Sequence, residues 1–229
     1  MILAIIPARG GSKRIKNKNI INFFQKPIIG WTIEELKKIK KKKIIDKIVV
    51  SSDSNKILNI SKKFGADILV KRVKKLSDDK TPFQKVIKDV IKKSTQLKFN
   101  VSEIIVVFPS AVLIEANDII SALKTFRKNK NSFVISISKY PHPPQRAYIK
   151  SNSNKLSFID KNNELKNTQN FNELFHDAGQ FYIGNKKLWL SKNIHSNSRG
   201  FLLPRTKSVD LDTKEDLNLL KFLFSKKKK

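Results

Sequence analysis

Five short apolar runs, separated by four segments whose apolar residues recur at helical spacing, constrain this chain more than any other feature. The runs are Ile2 to Ile6, Ile44 to Ser51, Asp67 to Arg72, Glu103 to Phe108 and Ser132 to Ser138. Between them the periodicity predicts helices over Ile28 to Lys40, Ser54 to Phe64, Phe83 to Leu97 and Ala116 to Lys128. Near-continuous apolar strands alternating with helices are the pattern of an α/β fold, a mostly parallel sheet with helices on both faces. A length of 229 residues suits one such domain, residues 1–229. The rhythm fails after Ser138. Residues 140–174, rich in Pro, Asn, Ser and Lys, read as an excursion from the sheet, with a hairpin around Lys155 to Lys161. "DAGQFYI", Asp177 to Ile183, resumes a strand in which Phe181 and Tyr182 alternate, so one of them is expected in the core. Thr213 and Asp216 have capping-box spacing ahead of "LNLLKFLF", which predicts a terminal helix directly after "VDLD".

Charge opens a second line of argument. Forty-eight Lys and Arg against nineteen Asp and Glu give a formal net charge of +29, enough to raise the question of a polyanion partner. The lysines, however, are spread over every predicted helix face. Dense runs occur only at Lys37 to Lys43, a helix end, and at Lys226 to Lys229, the chain terminus. Cations in those places suit the helix dipole and stay solvated. There is no recognition-helix motif, RNA-type aromatic sheet motif or zinc pattern, so no specific nucleic-acid partner is expected. The chain has no cysteine, which removes disulfides, thiolate metal sites and a cysteine nucleophile and leaves any metal to carboxylates or histidine. "MILAIIPA" lacks the basic lead of a signal peptide, and the run Ile104 to Ile114 is too short to cross a bilayer. A cytoplasmic protein without a membrane partner is expected.

The loop after the first run is the place to look for a ligand, because open α/β sheets bind beyond the carboxyl ends of their strands. In "IIPARGGSKRIKNKNI", Ile5 to Ile20, Gly10 and Gly11 can take positive φ and let backbone N–H groups approach an anion. Arg9, Ser12, Lys13 and Lys18 supply charge and donors. The pieces fit a polyphosphate, although neither the dinucleotide nor the Walker fingerprint is present. A glycine turn flanked by solvated lysines remains the alternative on these residues alone.

That loop resembles the signature of the sugar-activating cytidylyltransferases, which join CMP to acidic nine-carbon sugars. The resemblance continues in order along the chain: "VVSSDS" (Val49 to Ser54), "FGADILVKR" (Phe64 to Arg72), "VFPSA" (Val107 to Ala111) and "VDLDTKEDL" (Val209 to Leu217). "PPQRA" (Pro143 to Ala147) and "FHDAGQFY" (Phe175 to Tyr182) are similar to the branch acting on pseudaminic acid rather than on sialic or legionaminic acid. The resemblance implies a Rossmann-like nucleotide-diphospho-sugar transferase fold, with residues 140–174 helping to form a homodimer. It also implies the reaction of CTP with a nine-carbon acidic sugar, giving the CMP-sugar and pyrophosphate.

By the same resemblance Arg9 and Lys18 contact the phosphates, and Ser12 with the Gly10 and Gly11 amides completes the cradle. Lys13, Asn19, Pro109 and Ser110 join at the nucleotide. Arg72 is a further nucleotide contact, or else belongs to a solvated lysine-rich loop. Asp210 and Asp212, at i and i+2 on an extended segment, point the same way and would hold Mg²⁺ facing the phosphates. Taken alone, the pair reads equally as a helix N-cap and a surface charge. Gln145, Arg146, His176, Asp177, Gln180 and Tyr182 fall in the two branch-like segments and are the expected sugar contacts; for Arg146 a structural ion pair competes. His176 and Asp177, adjacent on a strand, face opposite ways and do not form a relay. Two departures stand out. After "LSDD" (Leu76 to Asp79) the chain has Thr81-Pro82-Phe83 where the family has small hydroxyl residues. "FPSAVLI" carries Ser110 and Val112 where Thr and Pro are commoner.

Overall fold

The computed structural model describes residues 1–78 and 80–227; Asp79 of the "LSDD" segment and the last two lysines of the terminal run lie outside the described residues. Among the described residues eleven strands and six α-helices follow one another. The strands are β1 (Ile2–Pro7), β2 (Asn22–Phe23), β3 (Lys26–Pro27), β4 (Lys47–Ser52), β5 (Ile68–Lys71), β6 (Glu103–Val107), β7 (Phe133–Lys139), β8 (Tyr148–Lys150), β9 (Leu156–Phe158), β10 (Phe175–Asn185) and β11 (Ser198–Leu202). The helices are α1 (Ile28–Lys41), α2 (Asn55–Phe64), α3 (Phe83–Gln96), α4 (Ala116–Lys128), α5 (Lys186–Ser191) and α6 (Lys214–Lys227).

Seven strands form the main sheet in the order β11-β7-β10-β6-β1-β4-β5. Every pairing in it is parallel except those of β10, which runs antiparallel to both β6 and β7. The apolar runs are strands for the expected reason. Leu3, Ala4, Ile5 and Ile6, and again Ile104, Ile105 and Val106, are fully buried in succession, which requires cover on both faces. Helix α1 packs on α2 and α4, while α3 packs on α5. Gly30 lets α1 approach α2 closely, since a Cβ there would stand 2.8 Å from the Phe64 ring.

Two elements differ from the sequence expectation. The excursion hairpin pairs Tyr148–Lys150 with Leu156–Phe158, so its turn precedes Lys155 instead of following it. Phe181 and Tyr182 are both buried, because β10 lies mid-sheet and each of its faces is covered.

Because β10 is reversed, its first residues lie beside the carboxyl ends of β6 and β7. There a bulge interrupts its pairing with β7 between Asp177 and Tyr182, and Gly179 takes φ +61°. A second, smaller core lies next to the main one. Ile15 of the first loop, Val112 and Leu113 after β6, Leu211, and Leu220 and Phe224 of α6 pack together. This cluster fastens three sequence-distant loops around one end of the sheet.

Candidate active site

The first loop is built more by hydrogen bonds than by glycine flexibility. Neither Gly10 nor Gly11 has positive φ; the left-handed residue is Asn17, at φ 56°. Gly10 is small for another reason. A Cβ on it would lie 3.0 Å from the Ser54 Cβ, and its N–H donates to Asp53 Oδ1 at 2.8 Å. Its amide is therefore already engaged by a carboxylate, which corrects the expectation that it points at a ligand anion. Asn19 is buried and donates to the Arg9 carbonyl at 2.8 Å, closing the loop across its width.

A cleft of about 260 Å³ opens above the carboxyl ends of β1, β5 and β6. On one wall it is lined by Arg9, Ser12, Lys13, Lys18 and Asn19 of the first loop. Arg72, Pro109 and Ser110 form its floor, and Asp210 and Asp212 face the first loop. Ten of the residues expected at nucleotide and metal thus share one cavity; Gly10 and Gly11 do not line it.

Arg72 is not a solvated loop residue. It is buried, and its Nη2 donates to the Ser51 carbonyl at 2.8 Å. Burial pushes its guanidinium pKa down, partly offset by the nearby carboxylates of Asp53 and Asp89. Pro109 is held by Thr32, whose hydroxyl donates to its carbonyl at 2.9 Å. Phe83 and Phe108, packed edge to face with centroids 5.5 Å apart, add an apolar side to the cleft.

The acidic wall is set by packing. Leu211 is fully buried in the second core, so the residues on either side of it turn together toward the cleft. Lys18 Nζ lies 3.0 Å from Asp212 Oδ1 and 4.0 Å from Asp210 Oδ1. Burial raises the Asp210 pKa; Lys18 opposes this shift and Asp212 adds to it. Asp216 fixes the segment from below by accepting from the Asp212 and Thr213 N–H groups at 2.9 and 2.7 Å. Thr213 and Asp216 also complete the expected capping box, with the Asp216 N–H donating to Thr213 Oγ1 at 3.2 Å. Asp212 is therefore not the N-cap. Among the described residues no group of three or more His, Asp or Glu side chains forms a metal cage. Two carboxylates bordering a cation-rich cleft suit a hard ion held jointly with substrate phosphates.

The residues expected at the sugar separate. Gln180 is buried, and its Nε2 donates to the Ala178 and Val209 carbonyls at 2.7 and 3.2 Å. It thus braces the residue before Asp210 instead of facing the cleft. Tyr182 is buried too; its hydroxyl donates to Asp177 Oδ2 at 2.6 Å, while Asp177 Oδ1 accepts from the Gly179 N–H at 2.9 Å. Burial first, then the Asp177 carboxylate, pushes the Tyr182 phenol far up. This pair locks the bulge that presents Gly179 to Asp210, where a Cβ would stand 3.5 Å from Asp210 Oδ2. His176 Nδ1 pairs with the backbone carbonyl of Asp177, at 2.9 Å, and not with its carboxylate, so the two side chains form no relay. Gln145 Nε2 donates to the Asn172 carbonyl at 3.0 Å, and its buried Oε1 has no partner among the described residues. Gln145, Arg146 and His176 do not line the cleft but lie where the excursion leaves and rejoins the sheet.

Residues 3–226 match the cytidylyltransferase family. The chain belongs to that family. It is 34% identical over 224 residues, 97% of this chain and 95% of the relative, to a pseudaminic acid cytidylyltransferase of Campylobacter jejuni. It is 27% identical over 95% of its length to an N-acylneuraminate cytidylyltransferase of Escherichia coli, half of which it spans (51%). Its fold is that of a CMP:2-keto-3-deoxy-manno-octonic acid synthetase solved in complex with CTP, with a TM-score of 0.72 at 15% identity, covering 99% of both chains. The cleft thus sets a cationic wall of Arg9, Lys13 and Lys18 against the carboxylates of Asp210 and Asp212. Arg14 also lines the cleft and Asp53 holds the Gly10 N–H beside it, although sequence reasoning selected neither.

Proposed function

We propose that this cytidylyltransferase transfers CMP from CTP to a nonulosonic acid, namely pseudaminic acid, and releases pyrophosphate. The observation that carries the reading is that Arg9, Lys13, Lys18 and Arg72 share a cleft with Asp210 and Asp212. The sugar's anomeric oxygen attacks the α-phosphorus in line; the new O–P bond forms as the bond from that phosphorus to the bridging oxygen breaks. Pyrophosphate leaves with the electron pair, and the hydroxyl proton passes to solvent. Such a transfer needs positioning and charge neutralisation more than covalent help. Arg9, Lys13 and Lys18 hold the triphosphate, and the buried Arg72 stands at the nucleotide end of the cleft. Asp210 and Asp212 would hold Mg²⁺, which supplies neutralisation of phosphate charge and acidification of the sugar hydroxyl.

Pseudaminic acid is favoured over sialic acid by the 34% identity to an enzyme named for it, against 27% to the N-acylneuraminate enzyme. Gln145, Arg146 and His176 remain the candidates for its polar groups. A homodimer is supported by the apolar side chains the excursion exposes, Ile149, Leu156, Ile159 and Leu165 among them. The test is product identification with CTP and a panel of nonulosonic acids. Efficient formation of CMP-pseudaminic acid with little CMP-sialic acid is expected. Equal use of both sugars would refute the branch, and failure to release pyrophosphate with any of them would refute the reading itself. Light scattering on the purified protein tests the dimer.

A further inference from the structure

Asp212 Oδ1 accepts two cations at once, Lys18 Nζ at 3.0 Å and Arg14 Nη2 at 2.9 Å. The two differ in freedom. Lys18 is largely enclosed, with 22% of its side chain exposed, whereas Arg14 is 69% exposed and can swing away without unburying apolar surface. Its backbone is nonetheless pinned, because the next residue, Ile15, is buried in the second core. Arg14 and Lys18 with Asp210 and Asp212 form a quartet of zero net charge, in a cleft that also carries Arg9, Lys13 and Arg72.

We propose that Arg14 competes with the divalent ion for Asp212 and, once displaced, serves the triphosphate, so that metal and nucleotide bind as a coupled pair. The inference rests on the cytidylyltransferase reading above. A divalent ion entering by itself must dislodge a guanidinium and adds charge to an already cationic cleft. Entering with a triphosphate, it brings net negative charge, and the released guanidinium finds phosphate oxygens within its reach. Arg14 therefore acts with opposite sign on the two ligands: it opposes the ion alone and favours the nucleotide alone. Linkage then requires each ligand to favour the other.

The test compares wild type with Arg14→Gln, each ligand taken singly. Mn²⁺ serves as probe, its binding followed by loss of the free-ion electron paramagnetic resonance signal without nucleotide. CTP binding is measured calorimetrically in EDTA. Arg14→Gln should tighten Mn²⁺ binding by about tenfold, the order expected for removing one partly screened charge near a divalent ion, and should weaken CTP binding by a similar factor. Arg14→Lys should restore both. Loss of structure cannot mimic a tightening, so unchanged or weaker Mn²⁺ binding in Arg14→Gln overturns the proposal, as does an absence of Mn²⁺ binding in both proteins. Asp212→Asn separates the two levels: Mn²⁺ bound as in wild type would refute the carboxylate-pair reading itself. Mn²⁺ binding that depends on Asp212 but is indifferent to Arg14 refutes only the competition.

Discussion

Replacing Leu211 by alanine tests whether the second core sets the geometry of the acidic wall. Leu211 is fully buried between the two cleft carboxylates and packs with Ile15, Val112, Leu113 and residues of α6. A buried leucine cut to alanine costs about 2–5 kcal/mol, the transfer term plus the cavity left behind. For a chain of this size that lowers the melting temperature by roughly 4–20 °C. Leu220 offers a matched control: it is 1% exposed in the same cluster but lies on α6, away from the carboxylates. Both variants should therefore melt earlier by comparable amounts. Only Leu211→Ala should also raise the magnesium concentration for half-maximal pyrophosphate release, because only there does the cavity loosen the segment holding Asp210 and Asp212. Thermal unfolding by circular dichroism and a magnesium titration of initial rates read the two effects separately. Superimposable magnesium curves for the two variants, or an unchanged melting temperature for Leu211→Ala, would refute the argument.

Asp212→Asn, and Asp210→Asn with it, should abolish magnesium-dependent transfer with an unchanged circular dichroism spectrum; near-normal turnover in both at low millimolar magnesium removes them from the mechanism. Arg9→Ala should lower kcat by about two to three orders of magnitude, the scale for one preorganised charge-stabilising donor, and a mere rise in sugar KM would show it misassigned. Gln180→Ala should raise the magnesium requirement, since Gln180 braces the Val209 carbonyl beside Asp210; a defect confined to sugar KM would place it at the acceptor instead. The hydrogen bond from Lys207, at 2.8 Å, holds the Glu115 carboxyl below the ordinary glutamate value. A depressed carboxylate pKa contributes stability that is present above the unfolded value and lost as pH falls through the folded one. The melting-temperature gap between wild type and Lys207→Met should therefore be widest near neutrality and close in acid, and a gap independent of pH would contradict the linkage.

What was legible in the sequence followed from local causes. Strands such as Ile2–Pro7 and Glu103–Val107 announce themselves because both faces are covered and nearly every position is apolar, the exception being Glu103, which is paired with Arg127. The capping box is legible because its two partners lie within one turn. Strand β11, "SRGFL", was missed because it is an edge strand with mixed exposure and no clean alternation. Helix α5 spans only six residues, too few for a periodicity to register. The tight hairpin of β2 and β3 turns through Phe24 and Gln25 at positive φ, residue types that give no turn signal. Gln180 and Tyr182 were expected at the sugar because they fall in the branch-like segment "FHDAGQFY", and a segment's resemblance does not say which way each side chain turns. The strand is bulged around Gly179, and both side chains are buried.

Arg14 and Asp53 were illegible for a different reason, and it bears on how the site works. Each acts through one contact distant in sequence, Arg14 on Asp212 and Asp53 on the Gly10 N–H, and in a lysine-rich chain a lone charge carries no mark of its partner. Those contacts, with Asn19 on the Arg9 carbonyl and Asp216 beneath Asp212, fix the cationic and acidic walls before any substrate is held. Charge groups already oriented need little reorganisation as charge develops on the transferring phosphoryl group. The second core extends the same logic across the fold, because Ile15 and Leu211 pack in one cluster and so tie the two walls together. A change that loosens the contact of Ile15 with Leu211 acts on both walls at once, whereas a change at Arg9 or Asp212 alone removes one charge and leaves the opposite wall in place.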